Sequence, residues 1–417
     1  MNSVATSPSS VRAKLRVLIL TQYFPPEVGA PQARLSETAR KLQQLGAEVE
    51  VLTAMPSYPT GRVFSDWRGR WFMRDEWQGM QVVRAFGYPT KSTKTLPRLL
   101  NYFSFVFSSL VAGLAMTKPC DVILVESPPL FLGLTGACLR RFKRAAMVLN
   151  VSDLWPETAV ALGLYSRESR AVRLAVGLER WLYRVSAAVT AQSSGIADGI
   201  RAKCPTANVA LIPGGVDAQV FSPQRRDRAV LKPFGGEGRH VVGYAGLLGI
   251  AQGIELLLDV AKRLEHRTDI VFLIAGDGPE RASLERKAGA NVVFAGLMPK
   301  ADMPALVASF DVTVIPLVKT IPGALPSKMY EAMASEVPIV LAAEGDPREL
   351  LERANCGLYA PYSDAAAVAS AVAQLCDDRE LAGRLGEAGR RYVLAHHVRE
   401  VIAERLHGVL LEAARPT

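Results

Sequence analysis

The chain has 417 residues, of which 49% are hydrophobic and 21% charged, a composition that excludes a largely disordered protein. This length favours two domains with a binding cleft between them. Five scattered cysteines without a Cys-x-x-Cys pair indicate a reduced, cytoplasmic protein, and the apolar run Val17 to Leu20 is too short for a secretion signal.

Apolar runs typical of strands alternate with helical stretches, which predicts an α/β fold with parallel sheets covered by helices. The predicted strands are residues 16–20, 48–52, 81–84, 122–125, 147–151, 188–191, 241–244, 271–275, 292–295, 312–315 and 339–342. The segment Ser222 to Arg239 is rich in Pro, Gly and charge and predicts the linker. We therefore expect a loose tail over residues 1–15, in which Met1 to Ser10 is Ser-rich, two domains over 16–222 and 223–390, and a C-terminal helix over 391–417 that packs back on the first domain.

The net charge of +9 is concentrated in one region. Arg62 to Arg144 contains thirteen Lys and Arg against five Asp and Glu, a net of +8. Aromatic residues alternate with these cations at Trp67, Arg68, Arg70 and Trp71, which suits an anionic membrane surface or a phosphate-bearing ligand. No nucleic-acid-binding motif accompanies the charge, so nucleic acid is not an expected partner.

The stretch Leu99 to Met116 is the one candidate for a membrane-spanning helix, at the lower limit of length. It contains Asn101, Ser104, Ser108 and Ser109. This polar content favours a buried or interfacial helix over a spanning one.

Four stretches of the second half lead from a strand through a loop towards a helix, an arrangement whose free N–H groups bind phosphate. They are Gly243 to Gly253, Ile274 to Glu280, Asn291 to Asp311 and Pro322 to Ala334. A tight turn between strand and helix is the alternative interpretation of their glycines.

Pro322 to Ala334 is the stretch with the most functional side chains. Ser327 is placed to cap the helix that follows Pro326, and Lys328 and Glu331 fall three residues apart on one helix face. At a helix N-terminus Lys328 can neutralise a diphosphate while Glu331 accepts hydrogen bonds from ribose hydroxyls. The alternative is an exposed Lys–Glu pair without a function.

The four stretches, together with Tyr23 to Leu45, Asn150 to Glu157 and Asn208 to Phe221, resemble glycosyltransferase family 4 over nearly the whole chain. This family has the GT-B fold, two Rossmann-like domains with parallel sheets facing across a cleft. Tyr23 to Leu45 and Asn150 to Glu157 are most similar to the branch that builds bacterial surface polysaccharides, including N-acetyl-fucosamine transferases. The resemblance implies sugar transfer with retention from a nucleoside-diphosphate donor, preferably a UDP-linked acetamido sugar, in O-antigen, capsule or exopolysaccharide synthesis.

The resemblance also implies a division of labour between the domains. The second holds the nucleotide and the first the acceptor, a polyprenyl-diphosphate-linked sugar at the inner face of the cell membrane, where the protein would be peripheral. Asp153 would lie at the donor sugar. Asp153 and Lys328 are the predicted catalytic residues. The predicted donor-binding residues are Gly29, Gly246, Gln252, Gly276, Leu297, Met298, Ser327 and Glu331.

Three departures from the family pattern limit what can be transferred. A Glu is often found eight residues before the position of Glu331, but here that residue is Gly323. A basic pair that often binds the diphosphate is replaced by Leu247 and Gln252, and a His beside the Asp153 position is Ser152. Our hypothesis is that Lys328 supplies the positive charge that Leu247 and Gln252 lack.

No metal or cofactor is expected, because the chain has no Asp-x-Asp triplet and its five histidines form no ligand set. An oxidoreductase or epimerase would need Gly-x-Gly-x-x-Gly after the first strand, where Thr21 to Pro26 stands instead. A non-catalytic, nucleotide-sugar-binding partner in a polysaccharide assembly complex is the remaining alternative.

Overall fold

The computed structural model describes residues 14–92, 94–161, 165–318 and 323–415 and contains two α/β domains, each built on its own sheet. The strands are β1 (Arg16–Leu20), β2 (Glu48–Ala54), β3 (Phe72–Trp77), β4 (Met80–Ala85), β5 (Val122–Ser127), β6 (Ala146–Val151), β7 (Ala188–Ala191), β8 (Val209–Leu211), β9 (His240–Ala245), β10 (Ile270–Ala275), β11 (Val292–Gly296), β12 (Val312–Pro316), β13 (Ile339–Ala342) and β14 (Gly357–Tyr359). The helices are α1 (Ala30–Gln44), α2 (Thr95–Ala115), α3 (Leu132–Lys143), α4 (Glu157–Ala161), α5 (Arg170–Val185), α6 (Ser194–Lys203), α7 (Glu255–Arg263), α8 (Arg281–Lys287), α9 (Met303–Ala308), α10 (Ser327–Ala334), α11 (Asp346–Ala354), α12 (Ala365–Asp377), α13 (Arg379–His396) and α14 (Arg399–Ala413).

The first sheet has the order β3-β4-β2-β1-β5-β6-β7-β8. The central strands are continuous apolar runs because both of their faces are covered. One face packs against α2, α3, α5 and α6, and the other against α1 and α14. Because the central strands are parallel, their carboxyl ends lie at one edge of the sheet, where the binding residues of such sheets are found.

The second sheet has the order β11-β10-β9-β12-β13-β14, and all of its strands are parallel. Helices α7, α8 and α12 cover one face, and α9, α10 and α11 cover the other. The predicted α/β fold with two parallel-sheet domains is confirmed, and all eleven predicted strands are present.

The chain crosses between the domains twice at one place. Val216 pairs with Val398 in an isolated bridge, and its N–H donates to the carbonyl of His397 at 2.9 Å. Beyond this crossing α14 packs against α1, where Lys41 Nζ lies 2.5 Å from Glu400 Oε1. The last helix thus lies on the first domain, whereas α13 packs against α10 of the second.

Three strands were not predicted: β3, β8 and β14. β3 pairs antiparallel with β4. The first sheet is therefore mixed, whereas a parallel sheet was predicted. Gln78 and Gly79 join the two strands and both have positive φ, as two-residue hairpin turns require. The predicted tail Met1 to Ser10 lies outside the described residues.

Candidate functional site

The ammonium group of Lys328 lies at the first glycine loop of the second domain. Its Nζ donates a hydrogen bond to the Tyr244 hydroxyl at 2.6 Å and lies 4.1 Å from the centre of that ring. A Cβ on Gly246 would be 3.1 Å from the same Nζ. Because β9 ends at Ala245 and α10 begins at Ser327, the cation stands where the carboxyl end of a central strand meets a helix N-terminus.

Burial shifts the pKa of both charged groups on this face of α10. Desolvation lowers the pKa of Lys328 to about 8, and the nearby carboxylate of Glu331 partly offsets that effect. Desolvation likewise raises the pKa of Glu331, against the hydroxyl of Ser327 and the charge of Lys328. Neither side chain is exposed, so the alternative interpretation as an exposed surface pair is wrong.

Ser327 does not cap α10 as predicted. It is the first helical residue, Pro326 occupies the cap position, and the N-terminus has no side-chain capping bond. A proline before the helix has the extended φ and ψ that a cap residue needs, so the helix starts without a serine cap. The exposed hydroxyl of Ser327 instead lies beside Glu331.

The glycines of the loop after β10 bring its backbone into contact with the backbone of the loop after β9. Gly276 has a φ of 140°, and a Cβ there would be 1.8 Å from the carbonyl oxygen of Gly246. A Cβ on Gly278 would be 2.3 Å from the carbonyl oxygen of Leu248, which accepts a bond from the Glu280 N–H at 3.1 Å. Close contact between the two loops therefore explains why both residues are glycine. The tight-turn interpretation accounts for Gly276 and Gly278 without a bound phosphate.

We expect Gly276→Ala to lower the free energy of unfolding by about 1–3 kcal/mol, because the new methyl group overlaps a backbone carbonyl that cannot rotate away. Urea-induced unfolding of the variant measures this cost. Gly383→Ala is the matched control, since a Cβ there meets no atom within 4 Å. Equal stability of the two variants would contradict the packing argument.

Exposed apolar side chains line the loops at the carboxyl edge of the second sheet. Leu297 follows β11 and is 79% exposed, while Met298 beside it is half-buried and packs against the core. Further exposed apolar residues of these loops are Leu247, Ile250 and Val318. Gln252 lies half-buried in the short 3₁₀ helix Ile250–Gln252, close to Gly249. The edge thus presents apolar surface next to the Lys328 ammonium group, a combination suited to a planar base joined to phosphates.

Asp153 lies on the other domain, in the turn after β6. Its carboxylate accepts a hydrogen bond from Thr158 Oγ1 at 2.5 Å, and burial raises its pKa. Within the described part of the chain it makes no side-chain hydrogen bond to a second-domain residue. Gly29 is also on the first domain, preceding α1 with an extended φ of 174° that any residue adopts. The structure therefore groups Gly246, Gly276, Lys328 and Glu331 on the second domain, whereas Asp153 and Gly29 lie on the first.

Asp346, which the sequence did not single out, connects the two domains. Its Oδ1 accepts from Ser194 Oγ at 2.9 Å and from the Gly195 N–H at 2.7 Å, both at the start of α6 in the first domain. Its Oδ2 accepts from the Gly323 N–H at 3.0 Å in the second domain. The carboxylate is buried at the N-termini of α6 and of its own helix α11, where a negative charge is favoured.

The position of Gly323 explains one departure from the family pattern. Its φ is +81°, and a Cβ there would be 2.2 Å from Ile196 Cγ1 and 2.9 Å from Ser193 Oγ, both at the start of α6. A Glu at this position would collide with the first domain. The carboxyl edges of the two sheets are therefore in direct contact here.

A polar network at the carboxyl edge of the first sheet was also missed. Glu126 is 4% exposed; its Oε1 accepts from Arg34 at 2.5 Å, and its Oε2 from Asn150 at 2.6 Å. Ser152, at the position where the family often has His, donates to the same carboxylate at 2.9 Å. Glu126, Arg34 and the pair Asn150 and Ser152 come from three separate segments, so no local pattern could have predicted the network.

The four residues predicted for acceptor or membrane contact separate into two groups. Trp67 and Arg68 line a cleft of the first domain, whereas Arg70 and Trp71 lie outside it. Trp71 is 66% exposed, and the centre of its ring lies 4.7 Å from the centre of the Phe86 ring. Within the described residues no group of three or more His, Cys, Asp or Glu side chains is placed to hold a metal ion. His397 is buried, and desolvation lowers its pKa to about 4.

Two family models match the chain. Residues 29–215 match the model described as Glycosyl transferase 4-like domain, and residues 239–378 match Glycosyl transferases group 1. The chain is 28% identical over 350 residues to the putative colanic acid biosynthesis glycosyl transferase WcaI of Escherichia coli, covering 79% of the chain and 84% of the relative. It is 27% identical over 382 residues to the GDP-mannose-dependent alpha-mannosyltransferase of Mycobacterium tuberculosis, covering 91% of the chain and 92% of the relative.

Solved structures share the fold at low sequence identity. Sucrose-phosphate synthase from Thermosynechococcus elongatus superposes with a TM-score of 0.74 at 17% identity, covering 96% of this chain and 99% of that one. HepE from Anabaena, in complex with UDP and glucose, gives 0.69 at 17% identity, with 95% and 100% covered. The two parallel-sheet domains, the family matches and the relatives together establish that the chain is a hexosyltransferase of the GT-B type, glycosyltransferase family 4.

Proposed function

We propose that this glycosyltransferase acts with retention and without a metal ion, using Lys328 to stabilise the departing nucleoside diphosphate. The observation that carries the proposal is the ammonium group of Lys328, half-buried beside Gly246 at the start of α10. A diphosphate placed there would meet that cation and the positive end of the helix, beside the backbone of Gly246. These groups take the place of the missing basic pair.

The transfer step follows from charge development at the leaving group. As the bond between sugar and phosphate breaks, negative charge grows on the diphosphate, and fixed positive groups lower the energy of that transition state. The acceptor hydroxyl attacks from the same face, and the leaving phosphate oxygen takes its proton. Asp153 orients the acceptor or stabilises positive charge on the sugar ring, and Glu331 accepts hydrogen bonds from the ribose.

A UDP-linked acetamido sugar is the proposed donor, supported by the resemblance to N-acetyl-fucosamine transferases. A GDP-linked hexose is the second candidate, because a relative matched over 91% of the chain is a GDP-mannose-dependent mannosyltransferase. A panel of UDP- and GDP-sugars, incubated with chelator and extracted polyprenyl-diphosphate-linked sugars, tests both. Transfer from one UDP-sugar supports the proposal, transfer from GDP-mannose supports the second candidate, and transfer only after Mg²⁺ is added would reject metal independence.

We propose that the reaction takes place at the inner membrane surface. The support is helix α2, whose polar side chains contact the protein and whose apolar side chains face outward. The polar side chains of α2 face the protein: Asn101 Oδ1 accepts from Gln22 Nε2 at 2.6 Å, Ser104 bonds the Tyr88 N–H, and Ser109 bonds Thr135. Its exposed residues are apolar instead: Leu96, Leu100, Phe103, Phe107, Val111 and Leu114.

Helix α2 contains Leu96–Ala115, the one stretch of the described residues long and apolar enough to cross a membrane, yet only 28% of it is buried. A helix that turns polar groups inward and apolar groups outward suits a face lying in the membrane interface. The surrounding net charge of +8 over Arg62 to Arg144 favours anionic lipid headgroups. The protein would then be peripheral at the cytoplasmic side.

We expect the double substitution Phe103→Ser and Phe107→Ser to weaken partitioning into vesicles containing phosphatidylglycerol about 10- to 100-fold, because two exposed rings lose their apolar burial. Cosedimentation with vesicles measures the effect. Leu411→Ser is the matched control, since Leu411 is exposed on α14 on the opposite face of the first sheet. Equal partitioning of the two variants would reject α2 as the membrane-facing element.

A further inference from the structure

A cleft of about 960 Å³ opens on the first domain, apart from the groups around Lys328. Its walls come from three loops at the carboxyl ends of neighbouring strands: Pro26 follows β1, residues 60–68 follow β2 and residues 89–91 follow β4. The cleft thus lies at the same edge of the sheet as Asp153, which follows β6.

The walls of the cleft are held by specific contacts. Gly61 has a φ of +64°, and a Cβ there would be 2.8 Å from the backbone nitrogen of Lys91, so the second and third loops are in direct contact. Arg68 Nε donates to the carbonyl of Val63 at 2.9 Å. The indole N–H of Trp67 donates to Asp75 Oδ2 at 3.3 Å, which fixes the ring in the wall. The cleft is therefore a built feature of the loops.

The cleft carries an excess of positive charge. Arg62, Arg68 and Lys91 line it, against the single carboxylate of Asp66, which accepts from the Ser65 hydroxyl at 2.9 Å. None of the three cations forms a salt bridge with another part of the described chain. Three exposed cations without a carboxylate partner, beside an indole ring, suit an anion with two phosphate groups.

The cleft adjoins the apolar face of α2. Lys91 lies four residues before the start of that helix, and Asn101 Nδ2 donates to the carbonyl of Tyr88 at 2.6 Å, which ties the third loop to the helix. The exposed residues Leu96 and Leu100 lie in the first turns of α2. A charged cleft thus leads into an apolar surface, as an amphiphilic ligand requires.

We propose that Arg62, Arg68 and Lys91 bind the diphosphate of a polyprenyl-linked acceptor whose hydrocarbon chain leaves along α2 into the membrane. This inference rests on the proposed function, of which it specifies the acceptor site. A diphosphate held there lies at the same edge of the sheet as Asp153, the edge at which the proposed function places the acceptor.

The test measures binding of a polyprenyl diphosphate in neutral detergent micelles to the full-length protein. We expect the triple substitution Arg62→Ala, Arg68→Ala and Lys91→Ala to weaken binding at least about 10-fold, because each cation contributes a charge-assisted contact. Arg201→Ala, which removes an exposed cation of α6 paired with Asp198, is the control and should bind as the unsubstituted protein does. Equal binding by the triple variant would overturn the proposal.

Two further probes separate this site from general attraction to anions. Micelles containing phosphatidylglycerol should bind far more weakly than the polyprenyl diphosphate, and equal binding of the two would overturn the diphosphate site in favour of a headgroup surface. Inorganic pyrophosphate should compete with the polyprenyl diphosphate, and failure to compete would count against recognition through the phosphates. Hydrolysis of the nucleotide-sugar donor in the same preparations reports the transferase itself, so its loss would indicate failure of the proposed function rather than of this cleft.

Discussion

We expect Lys328→Met to lower turnover about 10- to 100-fold while the fold is retained. A charge-assisted hydrogen bond contributes roughly 1.5–3 kcal/mol, which corresponds to one to two decades in rate when it acts mainly in the transition state. Methionine preserves the packing of the side chain beside Tyr244 and removes its charge. Lys287→Met, an exposed lysine of α8 paired with Glu255, is the control. Unchanged kinetics of a folded Lys328→Met enzyme would reject the assignment.

The same lysine predicts a pH dependence. Because burial lowers the pKa of Lys328 to about 8 in the free protein, the ammonium form is lost as the pH rises through that value. Since kcat/KM reports the ionisation of the free enzyme, it should fall about tenfold per pH unit above about 8. Initial rates between pH 6.5 and 9.5 measure this limb, which should be absent in Lys328→Met. A limb that persists in the variant would assign it to another group.

The second large effect is expected at the contact between the domains. Asp346→Ala should lower the free energy of unfolding by about 2–6 kcal/mol, because it leaves the N–H groups of Gly195 and Gly323 without their acceptor, at about 1–3 kcal/mol each. Gly323 lies seven residues beyond β12 and four before α10, so the KM for donor should also rise.

Urea-induced unfolding and donor KM measure both consequences of Asp346→Ala. Glu349→Ala is the matched control in the first turn of the same helix, because Glu349 forms an exposed pair with Arg353 that contributes little. A loss in Asp346→Ala no larger than in the control would show that the contact between the domains depends on other groups.

Sequence patterns predicted the fold well because most strands are buried on both faces. The runs Val17 to Leu20 and Ile339–Ala342 are continuous and apolar, so their type is evident without knowledge of their neighbours. The hairpin strand Phe72–Trp77 was missed because its residues alternate between exposed and half-buried positions and include Arg, Asp and Glu. The Gln78–Gly79 turn was the available signal.

The candidate site was predicted where its residues share one element. Lys328 and Glu331 are neighbours on α10, so their spacing alone placed them together. The Asp346 contact joins residues 152 positions apart, and no local pattern encodes such a pairing. The glycine loops show the opposite problem, since Gly276 fits a phosphate loop by sequence and yet is required by contact with Gly246.

The most direct test of the account compares the affinities of uridine and UDP, in chelator, for the unsubstituted protein, Lys328→Met and Glu331→Ala. If α10 binds the ribose through Glu331 and the diphosphate through Lys328, Glu331→Ala weakens both ligands, whereas Lys328→Met weakens UDP about 10-fold or more and leaves uridine unchanged. Equal UDP affinity in all three proteins, or UDP binding that appears only with Mg²⁺, would contradict the account.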